Sequence, residues 1–431
     1  MASSEIQSEL FGIPKRLFWG FIAIALFMVG DGIEQAFLSK YIVNIGFSTS
    51  QASLVSTVYG LMVVVASWFA AVLAEVYGPR VIMFCGVVLW IVFDIGFLTL
   101  GLGPKNYTMM LVMYGLRGTG YPFFLYGFLV GATHVTRKSR LSTMIGWFWC
   151  MYSIGIGVVG TYLPSFTIPS IGFMPTLWMS NIWIAVGGCL ALVLTRNYFV
   201  VHKNGKSTKE RFGRVVQDIG VVYRNPNIIK IFIVRIINQL SLFGLVVVFP
   251  ILFTNRIGFT TQQWLWIWGA MNITLIFGDV FWGMVANRIG LRRQVMWFGC
   301  VGCGITTLLF YYLPVSNGPV FWIAVLVAVL FGVTESAFVP IFVIFTSLEP
   351  KHIGATLSAQ NLAGGISNFA APALATLILP FFNVVGVVWV FAILYFIGAA
   401  ITLFVRVPEP GRNQLSRSRV LNESGSNVVG E

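Results

Sequence analysis

Ala71-Val-Leu-Ala-Glu-Val-Tyr-Gly-Pro-Arg80 returns 212 positions later as Gly283-Met-Val-Ala-Asn-Arg-Ile-Gly-Leu-Arg-Arg293. Both copies keep a small residue, an acid or amide, a glycine and a base at one spacing. Each copy joins two long apolar runs. A tight glycine junction that recurs at matching places predicts two similar halves, an architecture of transporters.

Working outward, apolar runs long enough to cross a bilayer fall near 16–42, 51–76, 81–101, 107–132, 141–163, 176–198, 228–253, 263–287, 294–313, 320–346, 353–379 and 384–405. The chain is 57% hydrophobic and 10% charged, where a soluble domain carries about 25% charged residues. The expected fold is an all-α membrane protein with twelve transmembrane helices in two pseudo-symmetric six-helix bundles. The expected divisions are an N-terminal segment 1–14, a first bundle 15–198, a linker 199–227, a second bundle 228–406 and a disordered tail 407–431. Within the linker, residues 213–223 fit a short amphipathic helix on the membrane surface, and a solvated linker fits nearly as well.

A net charge of +13 invites a nucleic-acid reading, but the bases are placed as a membrane protein places them. Arg80, the group Arg137, Lys138 and Arg140, the block Arg196–Arg224, Arg288, Arg292, Arg293, Lys351 and the basic tail share one side. Only Lys40, Lys105 and Arg256 fall on the other. The positive-inside rule then puts both termini in the cytoplasm of a multi-pass protein of the inner (plasma) membrane, with the lipid bilayer and no nucleic acid as partner. No cleavable signal peptide is expected. The five cysteines sit in apolar runs and read as small buried residues, with no metal site. Without a P-loop or a catalytic triad, neither an enzyme nor a bound cofactor is expected.

The repeated junction resembles the G-x-L-A-D-R-x-G-R-R signature of the major facilitator superfamily. Ala71, Glu75 and Val76 depart from it in the first copy, and Asn287 replaces the acid in the second. A closer likeness is to the polyol permeases that move ribitol and D-arabitol. It is carried by Gly12-Ile-Pro-Lys-Arg16, Gly30-Asp-Gly-Ile-Glu-Gln35, Val58-Tyr-Gly60, Leu73-Ala-Glu75 with Gly78-Pro-Arg80, Leu116-Arg-Gly118 with Gly120-Tyr-Pro122, and Gly146-Trp-Phe-Trp149. That resemblance implies proton-driven uptake of a small polyol by alternating access, in a monomer. Rival readings are a sugar or organic-anion symporter, a sugar or drug exporter, and a transporter-like sensor.

Two acids, Asp31 and Glu34, lie at helical spacing inside the first apolar run. Buried carboxylates in a membrane face a protein interior or a water path. Asp31 lies roughly 16 Å from the end of its helix and Arg117 roughly 15 Å into the fourth, at 1.5 Å per residue, so the two are expected to pair. Related sugar porters use such a pair for coupling, which by that resemblance makes Asp31 and Arg117, with Glu34 and Glu335, the proton-coupling candidates. A permanent ion pair that only fixes the helices is the plainer reading. Hydroxyl binding wants carboxylates, amides and aromatic faces, and the candidates are Glu34, Gln35, Tyr121, Trp149, Tyr152, Asn238, Gln239, Trp268, Asn272, Glu335, Gln360 and Asn361. Packing and interhelical hydrogen bonds would explain the same residues. The junction residues Glu75, Arg80, Asn287, Arg288 and Arg292, with Asp279, are expected to form a gating clasp, for which tight-turn chemistry at Gly78-Pro79 is the alternative.

Overall fold

The computed structural model describes residues 9–10, 13–136, 141–197, 199, 224–349 and 353–407. The expected 213–223 helix, nearly all of the linker and the tail from residue 408 lie outside the described residues. Regular structure is helical apart from a two-residue antiparallel pair, Glu9–Leu10 with Ile13–Pro14. Ten helical stretches are long and apolar enough to cross a membrane. One of them, Ala359–Leu403, holds two crossings, because Asn383 leaves the helical region with φ 55°. The remaining crossing, Tyr107–Arg117 with Gly120–Val135, is divided at a buried arginine.

We number the resulting spans in chain order. Span 1 is Lys15–Gln35 with Leu38–Asn44, span 2 Thr49–Tyr77, span 3 Pro79–Gly96 continued by Phe97–Leu102, and span 4 the divided pair above. Span 5 runs from Leu141–Ser153 to Gly160–Ile171, and span 6 is Phe173–Leu194. Span 7 is Pro226–Asn238 with Leu240–Ile251 and Leu252–Ile257, span 8 Thr261–Ile289, and span 9 runs from Leu291–Arg293 to Gly302–Asn317. Span 10 is Phe321–Ser336 with Pro340–Leu348, and spans 11 and 12 share Ile353–Leu403 on either side of Asn383. Spans 5 and 9 run past their expected ends at 163 and 313. Pro164, Pro169 and Pro314 sit inside them, as transmembrane helices allow when neighbours satisfy the freed backbone.

The repeat is visible in detail. Spans 2 and 8 are both 29 residues long. Each opens on a capping box, Ser48 with Gln51 and Thr260 with Gln263, in which side chain and backbone satisfy each other's free groups. Each closes on a glycine in positive φ, 103° at Gly78 and 97° at Gly290, a conformation that Cβ-bearing residues avoid. The junction glycines are thus required by backbone geometry. The halves also meet symmetrically. Gly60 of span 2 abuts the Asn368 backbone of span 11, and Gly157 of span 5 abuts the Asn272 side chain of span 8.

Spans 1, 4, 7 and 10, at corresponding places in the two halves, share a further property. Each loses its helical course within the bundle: at Ala36-Phe37, Gly118-Thr119, Gln239 and Ala337 to Val339. Around the first break, a Cβ on Gly30 would lie 2.7 Å from the Ser180 carbonyl, and one on Gly32 would lie 2.5 Å from that of Ile156. The two glycines let spans 5 and 6 close on span 1, which turns the intervening Asp31 toward spans 2, 3 and 4.

Candidate functional site

Arg117 ends the first segment of span 4 and is 1% exposed. Its guanidinium sits 4.0 Å from the Trp90 ring centre, 4.9 Å from that of Tyr114 and 5.6 Å from that of Tyr59, an aromatic surround that attracts a cation. Three acids meet it. Nη2 is 3.3 Å from Asp31 Oδ1, Nη1 pairs with Glu34 Oε1, and Nε is 3.5 Å from Asp94 Oδ1. The expected level pairing of Asp31 with Arg117 is therefore present, with Glu34 sharing the arginine. Asp94, on span 3, had no partner legible in the sequence. Beside Arg117 it accepts a 2.5 Å hydrogen bond from Asn181 Nδ2 on span 6. Depth could have found it: Asp31 is about 24 Å into span 1 and Asp94 about 22 Å into span 3, counted from the same end.

The three carboxylates are unequally satisfied. Asp31 accepts from Trp90 Nε1 at 2.9 Å, Gln35 Nε2 at 3.2 Å, Tyr59 OH at 3.4 Å and Arg117. Glu34 meets the arginine and takes no other hydrogen bond among the described residues, although its side chain is fully buried. Past the break in span 4, Tyr121 is buried, and it and Tyr152 lie within electrostatic reach of Asp31. Trp149 packs edge-on against Tyr152 with ring centres 5.3 Å apart. Beside the cluster, a recess between the two halves is lined by Gln35, Ser39, Tyr59, Tyr114 and Asn368 among others.

A second cluster occupies the other half. Arg235 of span 7 donates to Asn238 Oδ1, and Asn238 Nδ2 donates to Glu335 Oε1 of span 10 at 2.8 Å. Glu335 Oε2 also accepts from Cys303 Sγ and Tyr395 OH, both at 3.4 Å. Glu335 is thus held among spans 7, 9, 10 and 12. Arg235 turns inward, with a buried Nε unpartnered among the described residues and with Glu335 and Asp279 as its electrostatic neighbours. The two clusters mirror each other with signs exchanged: acid on span 1 and base on span 4, base on span 7 and acid on span 10.

The other expected ligands are scattered. Trp268 is stacked between Trp264 and Phe310, at 5.4 and 6.5 Å between ring centres, so it serves the core of the second bundle. Asn272 Nδ2 donates to the Trp268 carbonyl, and its Oδ1 abuts Gly157 across the interface. Gln239 forms the break of span 7 and faces Gly364. Gln360 is buried with Oε1 unpartnered, and Asn361 beside it is half-buried.

Among the gating candidates, the Glu75 and Asn287 side chains lie outside what the structure describes. Arg292 Nη1 donates to the Leu403 carbonyl at 3.2 Å, so it caps the last turn of span 12. Arg80 has a buried, unpartnered Nε, Arg288 is exposed, and Asp279 is exposed on span 8.

A charge cluster buried among twelve apolar spans in two matching halves is the kind of interior that membrane transporters carry. The chain belongs to the Major Facilitator Superfamily, whose sequence model matches residues 20–278 and again residues 231–426; its relatives are transporters, not enzymes. It is 46% identical over 406 residues to the ribitol transporter of Klebsiella pneumoniae, covering 94% of this chain and 95% of that one. It is 45% identical over 406 residues to the D-arabinitol transporter of the same organism, covering 94% and 96%. Over 413 residues it is 33% identical to the alpha-ketoglutarate permease of Bacillus subtilis (strain 168), covering 96% and 94%.

Proposed function

We propose that the chain takes up a linear pentitol, ribitol or D-arabitol, together with protons, by alternating access of two bundles divided at residues 199–227. By the placement of its basic loops, both termini lie in the cytoplasm and the membrane is the inner (plasma) membrane. The relatives support a polyol as substrate, and the amides and tyrosines near Arg117 suit its hydroxyl groups. The observation that carries the coupling is the imbalance at Arg117, where three buried carboxylates share one cation. Surplus buried negative charge is costly, and a proton on one acid reduces it. Asp31, with four donors, is satisfied as an anion. Glu34, with the arginine alone, loses least by taking the proton. This moves the proton from Asp31, the first choice on sequence, to Glu34. Asp31 then anchors Arg117, and Gln35 remains a hydroxyl ligand.

Uptake of radiolabelled pentitols into proteoliposomes, with and without an imposed pH gradient, tests the reading. Gradient-driven accumulation of at least one pentitol is expected. Glu34→Gln should abolish accumulation against a gradient while leaving pentitol exchange across the membrane. Full accumulation by Glu34→Gln would remove Glu34 from coupling, and the absence of gradient-driven accumulation in the unaltered protein would sink symport. The organic-anion reading keeps one observation in its favour, the unpartnered Nε of Arg235. Competition of pentitol uptake by a dicarboxylate decides it.

A further inference from the structure

The recess beside the charge cluster is small, about 50 Å³, room for a few water molecules and not for a whole pentitol. Its walls differ in character. Polar groups come from Gln35 and Ser39 of span 1, Ser56 of span 2 and Asn368 of span 11, and apolar surface from Leu38 of span 1 and Phe243 and Val246 of span 7. Such a mixed lining suits the end of a hydroxylated chain, its oxygens on the polar groups and its C–H bonds on the apolar ones.

Ser39 supplies a second, independent sign. It is 4% exposed and its Oγ has no hydrogen-bond partner among the described residues, an arrangement that is costly unless something fills it. Many other helical hydroxyls return to their own helix: Thr57 donates to the Ser53 carbonyl, Thr136 to that of Ala132 and Ser170 to that of Phe166. The carbonyl that Ser39 would use, four residues back, belongs to Gln35, and the break at Ala36-Phe37 lies between them. Breaking span 1 thus frees a hydroxyl at the wall of a polar slot.

We propose that this slot, centred on Ser39 with Ser56 and Asn368, binds one terminal hydroxymethyl group of the polyol and its neighbouring carbinol, and so selects between pentitols that differ in configuration at that carbon. The assignment rests on the pentitol reading above. Gln35 and Tyr59 line the slot and also donate to Asp31, so a substrate hydroxyl that draws either away changes the donor set of the charge cluster.

The test uses the full chain in proteoliposomes, with ribitol and D-arabitol as probes. Ser39→Ala and Asn368→Ala should each raise KM for the preferred pentitol about tenfold, the loss of roughly one hydrogen bond. They should also shift the ribitol to D-arabitol preference, with kcat little changed. Ser39→Thr, which keeps the hydroxyl, should recover part of the loss. In Ser39→Cys, pentitol should slow labelling by a small maleimide. If the unaltered protein transports a pentitol while these variants keep its KM and preference, and pentitol gives no protection, the slot is overturned and the transport reading stands. If the unaltered protein moves no pentitol, the transport reading itself fails.

Discussion

Arg117 is the residue on which the first bundle's polar interior depends. It is the only base in contact with Asp31, Glu34 and Asp94 among the described residues, and its removal leaves three buried acids facing one another with no counter-charge. Deleting one partner of a buried ion pair costs about 3–5 kcal/mol. Arg117→Ala is therefore expected to lower the thermal midpoint of the purified protein sharply, and adding Asp31→Asn to recover part of that loss, because it takes away one orphaned charge. A double variant no more stable than the single one would mean that Asp31 is not held as an anion by Arg117. Arg117→Lys should lose most transport even where it folds, since an ammonium cannot serve three carboxylates from a planar fork. The pairing of Asp31 with Arg117 could be read from depth alone, because both positions follow from residues counted along a helix. Depth would have placed Asp94 beside them as well, whereas its bond from Asn181 of span 6 and the inward turn of Arg235 on span 7 depend on how those spans rotate about their own axes, which the hydropathy pattern leaves open.

Every acid and base in the two clusters except Asp94 lies on a span that breaks, and close to the break. A helix end offers free backbone groups and space that a continuous helix does not, which is why spans 1, 4, 7 and 10 carry the chemistry. Two of the breaks are marked in sequence, by Gly118 in span 4 and by Pro340 directly after the break in span 10, where the missing N–H interrupts the helix. Those at Ala36-Phe37 and Gln239 contain neither glycine nor proline and were hidden. The close approaches leave a plainer mark. Gly32 has no room for a Cβ against the Ile156 backbone, whereas Gly283 has nothing within 4 Å. Gly32→Ala should destabilise the protein by about 1–3 kcal/mol, the usual cost of overpacking, and Gly283→Ala should leave the thermal midpoint unchanged or slightly raised by its better helix propensity. Equal effects from the two would show that span 5 does not bear on span 1 as the structure has it.

The two bundles are tied at the end of the molecule opposite Lys15 and Leu403. Lys40 Nζ donates to Thr261 Oγ1 at 2.6 Å, Trp264 Nε1 to the Ala36 carbonyl at 2.8 Å, and Trp266 Nε1 to Ser165 Oγ at 3.0 Å. On the other flank Ser53 Oγ donates to the Pro372 carbonyl at 2.9 Å, and the hydroxyls of Thr57 and Thr376 are 3.2 Å apart. The hydrogen bonds that join the halves among the described residues fall at this end. None could be read in advance, because register between the bundles depends on the symmetric crossings at Gly60 and Gly157, although the repeat that makes those crossings equivalent was plain at 212 positions. Under alternating access these bonds form one closed gate and must part in each cycle. A covalent tie across them should stop transport. Thr57→Cys with Thr376→Cys places two sulfurs where hydroxyls already touch, within the reach of a disulfide. The oxidised double variant is expected to lose pentitol uptake and to regain it on reduction, while each single variant stays active. Continued uptake by protein shown to be fully cross-linked would mean that spans 2 and 11 do not separate during the cycle, and that the bundles move about some other seam.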